Sequence, residues 1–307
     1  MTANTSPRKT GALSPKLAKQ FLVHNIRVNG LRAVLYCFGV SASRYIEYSA
    51  AIAFLSRRPF LNSNMVELGC GHSILPSFWQ RLGAIVFVVD RNLDALTWQR
   101  KKGSQAAKEP VNVVLADIRY LPFAEGTFDR ASCISAIEHV PNDGDSRGAF
   151  EIGRVLKGDG LVAISFPLSS KSQSHVQSHW ASYIPSPMQS LFGFVLPAVL
   201  KKFNVDRTSS YFERFYSRED VINRIVNPSR CLLEDSIALE SGPTIKFVHQ
   251  KMVPTGVFTL LEYFLAKFMS VDENIKAADA IILKLRKKRE SECLKTHTSR
   301  SGSTFAL

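Results

Sequence analysis

The hydrophobic residues in the central part of the chain fall into short runs, which longer segments with helical spacing separate. A short apolar run between turn signals is typical of a strand buried on both faces of a sheet. Five such runs follow one another over residues 65–68, 84–90, 111–117, 130–135 and 161–167, and two more lie at 231–240 and 280–286. This alternation of strands and helices predicts an α/β fold built on a parallel sheet.

Four segments carry the signals of helices. Apolar residues recur at helical spacing over 21–60 and predict a helical cap before the first strand. Residues 93–105 contain three consecutive basic residues followed by Gly103, a pattern typical of a helix C-terminus. Ser217 and Asp220 have the spacing of a capping box and predict a helix that extends to Val226. A strongly apolar helix is predicted over 255–269.

The first strand leads into Gly69 and Gly71, which lack a Cβ atom and therefore allow a sharp turn with a ligand against the backbone. The second strand ends at Asp90, 19 residues after Gly71. This spacing suits an acid that binds ribose hydroxyls in a nucleotide-binding βαβ unit. However, the dinucleotide fingerprint requires a third glycine at position 74, where this chain has isoleucine, and Glu67 is unusual for that class.

Residues 67–71, Glu-Leu-Gly-Cys-Gly, resemble motif I of the class I S-adenosylmethionine-dependent methyltransferases, written (D/E)-x-G-x-G. The series Asp-Ile, Leu-Pro-Phe, Phe-Asp and Ile-Glu-His-Val over 117–140 resembles the methyltransferase type 11 group, as does Arg-Val-Leu-Lys-Gly-Asp-Gly over 154–160. Together these motifs cover residues 65–167, and the resemblance fades beyond them. It implies a Rossmann-like seven-stranded sheet, mostly parallel with the last strand antiparallel and with helices on both faces, and S-adenosyl-L-methionine as the cofactor.

The resemblance also implies which residues bind this cofactor. Asp90 would bind the ribose, while Asp117 would accept a hydrogen bond from the adenine amine and the backbone N–H of Ile118 would donate to the ring. A strand-end cap is the alternative role for Asp117. The implied cofactor-binding residues are Glu67, Gly69, Cys70, Gly71, Asp90, Arg91, Asp117, Ile118 and Ser135.

The sequence indicates less about the acceptor of the methyl group than about the cofactor site. In this fold, insertions such as residues 169–216 usually build the acceptor pocket, and the Phe, Leu, Val and Tyr content of 180–216 and 255–269 favours a hydrophobic acceptor. A hydroxyl or carbon-acid acceptor would need a general base. His139 after the fourth strand is the catalytic candidate, with His175 and His179 as others, and a structural or surface histidine is the alternative for each.

Charge is concentrated at the two ends of the chain. Of a net charge of +13 over 307 residues, the first 32 residues contribute six basic residues and no acid, and 284–300 contribute a net +5. Basic ends attract anionic surfaces, so peripheral contact with an anionic membrane is one hypothesis, and solvated tails that aid solubility are the other. No Asn/Asp-Pro-Pro-Tyr segment follows the fourth strand, which argues against nucleic acid as the substrate.

The five scattered cysteines form no Cys-x-x-Cys pair and no zinc spacing, so no metal is expected and a reducing, cytoplasmic location is favoured. The N-terminus lacks the apolar core of a secretory signal. Residues 180–200 are uncharged, but three prolines interrupt them, which disfavours a membrane span.

We therefore expect a disordered basic tail over 1–20, a methyltransferase domain over 21–288 and a disordered tail over 289–307. The function expected is transfer of a methyl group to a small, hydrophobic or lipid-like acceptor. Two alternatives stay open: a non-catalytic methyltransferase-like binding subunit, and a methyltransferase acting on RNA or protein.

Overall fold

The computed structural model describes residues 14–29, 42–103, 110–178, 210–239 and 280–289. The helices within these ranges are α1 (Pro15–Asn29), α2 (Ala42–Leu55), α3 (Leu75–Arg81), α4 (Leu93–Trp98) and α5 (Gly144–Val155). A sixth helix, α6, has three successive segments, Arg218–Asp220, Val221–Val226 and Asn227–Ser229. The strands are β1 (Asn64–Leu68), β2 (Ile85–Asp90), β3 (Asn112–Leu115), β4 (Phe128–Ile134), β5 (Leu156–Pro167), β6 (Gln173–Ser178), β7 (Ser210–Phe215), β8 (Cys231–Leu239) and β9 (Ala280–Lys287).

Seven of these strands form one sheet in the order β3-β2-β1-β4-β5-β9-β8. The first five strands of this order run parallel to one another. The last strand of the chain, β9, lies between β5 and β8 and is antiparallel to both. The structure therefore confirms the predicted fold class, a mostly parallel seven-stranded sheet with an antiparallel last strand.

Hydrophobic side chains cover both faces of this sheet, because successive residues of a strand point to opposite faces. From β1, Val66 and Leu68 join a cluster that includes Ile152 of α5. Met65 joins the cluster on the other face, where Phe54 of α2 and other residues of α1 and α3 are buried. Burial on both faces explains why the sequences of the strands are continuous apolar runs.

The predicted helix over 93–105 is present as α4 and a π-helical turn over Gln99–Gly103. The capping box at Ser217 and Asp220 is formed as expected and opens α6. In contrast, α1 begins at Pro15 and so includes part of the segment assigned to a disordered tail. The predicted helix over 255–269 lies outside the described residues.

Strands β6 and β7 form a separate two-stranded antiparallel sheet within the 169–216 insertion, and the sequence analysis predicted neither. The sequence of β6, Gln-Ser-His-Val-Gln-Ser, contains one apolar residue, so it carries no strand periodicity. No helix in the described part of the chain is both long enough and apolar enough to cross a membrane.

The topology brings the carboxyl ends of β1, β2, β3 and β4 to one edge of the sheet. In open α/β sheets, ligands bind at this edge, where the strand order reverses direction. Here the reversal falls between β1 and β4, and the candidate residues follow these strand ends.

Candidate functional site

The two glycines after β1 both adopt the left-handed backbone conformation, with φ of +64° at Gly69 and +44° at Gly71. A Cβ atom at Gly69 would lie 2.4 Å from the Cβ of Ala136, in the loop after β4. At Gly71 a Cβ atom would meet no other atom within 4 Å. Gly69 therefore allows close packing against the β4 loop, whereas Gly71 borders open space where a ligand can approach the backbone.

Asp90, at the end of β2, holds this glycine turn in place. Its Oδ2 accepts a hydrogen bond from the backbone N–H of Gly71 at 2.9 Å, and its Oδ1 accepts one from the N–H of Asn92 at 2.9 Å. The thiol of Cys70 lies 3.9 Å from the same Oδ2. A carboxylate has about four acceptor positions, so Asp90 keeps capacity for a ligand. The structure thus brings together Gly71 and Asp90, as their spacing predicted.

Glu67 lies behind the turn rather than at its surface, with only 2% of its area exposed. Its carboxylate accepts a hydrogen bond from Trp79 Nε1 at 3.1 Å and a very short one from the hydroxyl of Ser132. Burial raises the pKa of Glu67 to about 7, and these two hydrogen bonds oppose that shift only in part. Glu67 therefore connects β1, α3 and β4 beneath the site.

Asp117 follows β3, and Arg119 binds it closely. The backbone N–H and Nε of Arg119 donate to Oδ1 at 2.9 and 3.0 Å, and Nη2 donates to Oδ2 at 2.7 Å. The side-chain hydrogen bond from Arg119 lowers the pKa of Asp117. Oδ2 accepts only one of these bonds, so it can accept one more from a ligand.

The sequence analysis did not consider Arg119, although an arginine two residues after the acid is a local signal for this pair. The side chain of the neighbouring Ile118 packs against α5, because a Cβ atom at Gly148 would lie 3.3 Å from it. Arg91 is exposed at the beginning of the β2–α4 connection.

Ser135 connects the end of β4 to the helical cap. It adopts a positive φ of 46°, and its hydroxyl donates to both carboxylate oxygens of Glu47 at 3.1 Å. Its backbone N–H donates to the carbonyl of Ser165 at 3.1 Å. Glu47 is buried in α2, so this helix is fixed over the carboxyl end of β4.

His139 lies in a short 3-10 turn after β4, and its Nδ1 is 2.9 Å from the backbone carbonyl of Phe212 in β7. A carbonyl oxygen only accepts, so Nδ1 carries the proton and Nε2 is left as the basic nitrogen of the neutral ring. Nε2 lies 3.8 Å from the Oε1 of the buried Glu138. Of the other candidates, His175 is exposed on β6 and His179 lies outside the described residues.

A buried ionic cluster fixes β7, the strand that contacts His139. Asp145, at the start of α5, accepts hydrogen bonds from the hydroxyl of Tyr216 at 3.0 Å and from Nε and Nη2 of Arg224 at 2.9 and 2.7 Å. Arg214 Nε lies 3.4 Å from the same carboxylate. The partners are 69 to 79 residues apart in sequence, and no local pattern signals such a contact.

Two residues near the end of α5, Glu151 and Arg154, support the site indirectly. Glu151 accepts a hydrogen bond from the backbone N–H of Leu121 at 2.9 Å, and Arg154 donates to the carbonyls of Leu121 and Phe123 at 3.0 and 2.7 Å. Arg154 also pairs with Glu151 at 2.8 Å. These contacts hold the loop that follows Asp117. Within the described ranges, no group of three metal-ligating side chains is assembled.

The fold and the glycine turn together define a class I methyltransferase-like domain. Residues 66–164 match the family described as a methyltransferase domain, of type 11. The match confirms the predicted class I S-adenosylmethionine-dependent methyltransferase domain, for which S-adenosyl-L-methionine is the cofactor.

Among known proteins, a "Ubiquinone biosynthesis O-methyltransferase" of Glaesserella parasuis serovar 5 (strain SH0165) is 32% identical over 108 residues, which are 33% of this chain and 44% of the relative. The chain thus spans less than half the length of this curated relative. Two solved structures share the fold with a TM-score of 0.52 and 12% identity each. The geranyl diphosphate C-methyltransferase of Streptomyces coelicolor A3(2) aligns over 83% of both chains, and the [4+2]-cyclase SpnF aligns over 91% of this chain and 99% of its own.

The raised pKa of Glu67 makes stability depend on pH. Between its ordinary value of 4.5 and about 7, Glu67 holds a proton in the folded state that it loses in the unfolded state. The free energy of unfolding should therefore fall as pH rises through this range, by at most about 1.4 kcal/mol per pH unit from this group. Glu67→Gln keeps a neutral side chain of the same shape and should remove this contribution.

Urea unfolding of both proteins from pH 4.5 to 8 measures the effect. The variant should gain stability relative to the wild type as pH rises, and the gain should level off above pH 7. Glu125→Gln alters an exposed glutamate and is the matched control. Parallel pH curves for the wild type and Glu67→Gln would refute the assignment.

Proposed function

We propose that this protein is an S-adenosylmethionine-dependent methyltransferase that acts on a small, hydrophobic or lipid-like acceptor. The observation that carries the proposal is the left-handed glycine turn, which Asp90 holds and which faces open space at Gly71. The family match over residues 66–164 supports it.

The residues at the carboxyl edge fit the parts of this cofactor. Asp90 has acceptor positions left for the ribose hydroxyls after binding two backbone N–H groups. Asp117 has one position left on Oδ2 for the adenine amine, and Arg119 holds that carboxylate in a fixed orientation. Glu67 supports the turn from beneath. Direct contact with the cofactor would be made by the backbone of Gly69, Cys70 and Gly71.

The cofactor supplies an activated methyl group on a sulfonium. The task of the protein is then to hold donor and acceptor in line and at contact distance. The contacts Ser135 to Glu47 and His139 to Phe212 position two elements around the end of β4, the helix α2 and the β6–β7 strand pair. We assign the acceptor side of the site to this pair of strands.

His139 is the general base in this proposal. The Phe212 carbonyl fixes the proton on Nδ1, so the neutral ring can take the acceptor proton on Nε2. The imidazolium that forms is then stabilised by the carboxylate of Glu138, 3.8 Å away. This step applies to a hydroxyl or carbon-acid acceptor.

The hydrophobic character of the acceptor rests on the sequence of the insertion and on the curated relative, whose name places it in ubiquinone biosynthesis. Peripheral contact with an anionic membrane stays a prediction from the basic ends of the chain, parts of which lie outside the described residues. The alternatives are a binding subunit without catalysis and a methyltransferase acting on RNA or protein. The cyclase among the fold relatives shows that this fold also serves other activities.

Asp90→Ala should weaken binding of S-adenosylhomocysteine by about ten- to a hundredfold, because the ribose loses a charged acceptor and the turn loses its bond at Gly71. Calorimetric titration of the full chain measures the change. Asp94→Ala, an exposed acid in the first turn of α4, is the control and should bind like the wild type. Equal affinities for wild type and a folded Asp90→Ala variant would contradict the cofactor site.

Methyl transfer is best tested with labelled S-adenosylmethionine against two acceptor pools, extracted lipids and small phenols. We expect label in the lipid pool. His139→Gln should lower kcat by about 10²–10⁴-fold with unchanged affinity for S-adenosylhomocysteine, while His175→Gln, on the exposed strand β6, should retain activity. Label only in the phenols would refute the lipid-like acceptor, and an active His139→Gln variant would refute the base.

A further inference from the structure

A cavity lies at the amino ends of β1, β4 and β5, the edge of the sheet opposite the cofactor site. Its polar lining comes from the segment before β1 and from the first residues of β4 and β5, and it includes Arg58, Ser63, Asp129, Arg130, Lys157 and Asp159. The cofactor site lies at the carboxyl ends of the same strands, so the two sites are on opposite edges. Nothing in the proposed methyl transfer uses this cavity.

Arg130 is a buried cation in the wall of this cavity, with only 3% of its area exposed. Its Nε donates to the carbonyl of Leu55 at 3.0 Å, and Nη2 donates to those of Arg58 and Pro59 at 3.0 and 2.9 Å. Nη1 has no hydrogen-bond partner among the described residues, and none of the ion pairs in those ranges includes Arg130. Its Cζ lies 4.4 Å from the centre of the Phe60 ring, and burial lowers the pKa of Arg130 although the charge of Asp129 opposes that shift. A buried cation that has no directly paired carboxylate is costly, so an anion beside it is favoured.

The two carboxylates in the lining are already neutralised. Lys157 donates to both oxygens of Asp129 at 2.9 and 3.0 Å. Asp159 pairs with Arg286 at 2.7 Å and, at very short range, with Arg289. The acids are therefore paired directly with other residues, and neither forms an ion pair with Arg130.

Arg58 adds a second available cation. It is exposed, and its one hydrogen bond to a described residue goes from Nη1 to the carbonyl of Asp159 at 3.1 Å. Its guanidinium takes part in no ion pair within the described ranges. Two guanidinium groups and an ammonium around one cavity form a donor set that suits a tetrahedral oxyanion with several acceptor oxygens.

We propose that this cavity binds a phosphate group, with Arg130 as the buried counter-charge and Arg58 and Lys157 at the entrance. The phosphate group belongs either to a free phosphate or to the headgroup of an anionic phospholipid. The second source accords with the exposed apolar side chains near this edge, Leu61 and Ile85. The proposal is independent of the methyltransferase function, because it involves none of the residues at the carboxyl edge.

Titration of inorganic phosphate into the full chain at low salt, with S-adenosylhomocysteine present at saturation, tests the free-phosphate form. We expect saturable binding that Arg58→Gln weakens about tenfold and Arg58→Glu abolishes. Arg57→Gln is the matched control: Arg57 is the adjacent exposed arginine, it pairs with Glu234 at 3.3 Å, and it does not line the cavity. Arg130 is left unchanged, because its replacement would remove the hydrogen bonds that it donates to three backbone carbonyls.

Flotation with phosphatidic acid vesicles, and with neutral phosphatidylcholine vesicles as reference, tests the lipid form with the same variants. Binding of either phosphate source that depends on Arg58 and not on Arg57 supports the proposal and identifies the source. Binding of neither source overturns it. Equal losses in the Arg57 and Arg58 variants would also overturn it, because they indicate diffuse charge and not this cavity.

Discussion

The hydrogen bond from the backbone of Gly71 to the carboxylate of Asp90 is the contact on which the candidate site depends. It joins the carboxyl ends of β1 and β2, and it fixes a turn whose left-handed conformations are accessible to glycine at little cost. A parallel sheet brings these two strand ends together, so the geometry of the turn follows from the fold. The buried Glu67 completes the support by connecting β1 to Trp79 and Ser132.

Around this turn, buried polar contacts fix the positions of elements that hydrophobic packing alone would determine less precisely. Ser135 fixes α2 through Glu47, and Asp145 fixes the β6–β7 region and α6 through Tyr216 and Arg224. Such contacts are directional, and leaving one partner unpaired in the interior is costly. They therefore define the positions of these elements more narrowly than burial does.

The sequence was sufficient to predict the sheet and its strand-end residues, because buried parallel strands are continuous apolar runs and Gly71 and Asp90 have a characteristic spacing. It was insufficient for β6, whose polar residues carry no strand periodicity, and for Asp145, whose partners are about 70 to 80 residues away. The hydrogen bonds between Arg119 and Asp117 were not predicted, although the sequence allows that prediction because the two residues are almost adjacent. The sequence places Arg130 at the start of a strand, and no local pattern signals that its side chain is buried.

The central claim is that the turn held by Asp90 is the cofactor site, and amide hydrogen exchange of the full chain with S-adenosylhomocysteine tests it most directly. The account predicts slower exchange over residues 69–73 and 90–92 when the ligand is present. Residues 157–161, at the amino edge, should exchange at the same rate with and without it. Unchanged exchange over 69–73 at saturating ligand, or protection confined to another part of the chain, would contradict the account.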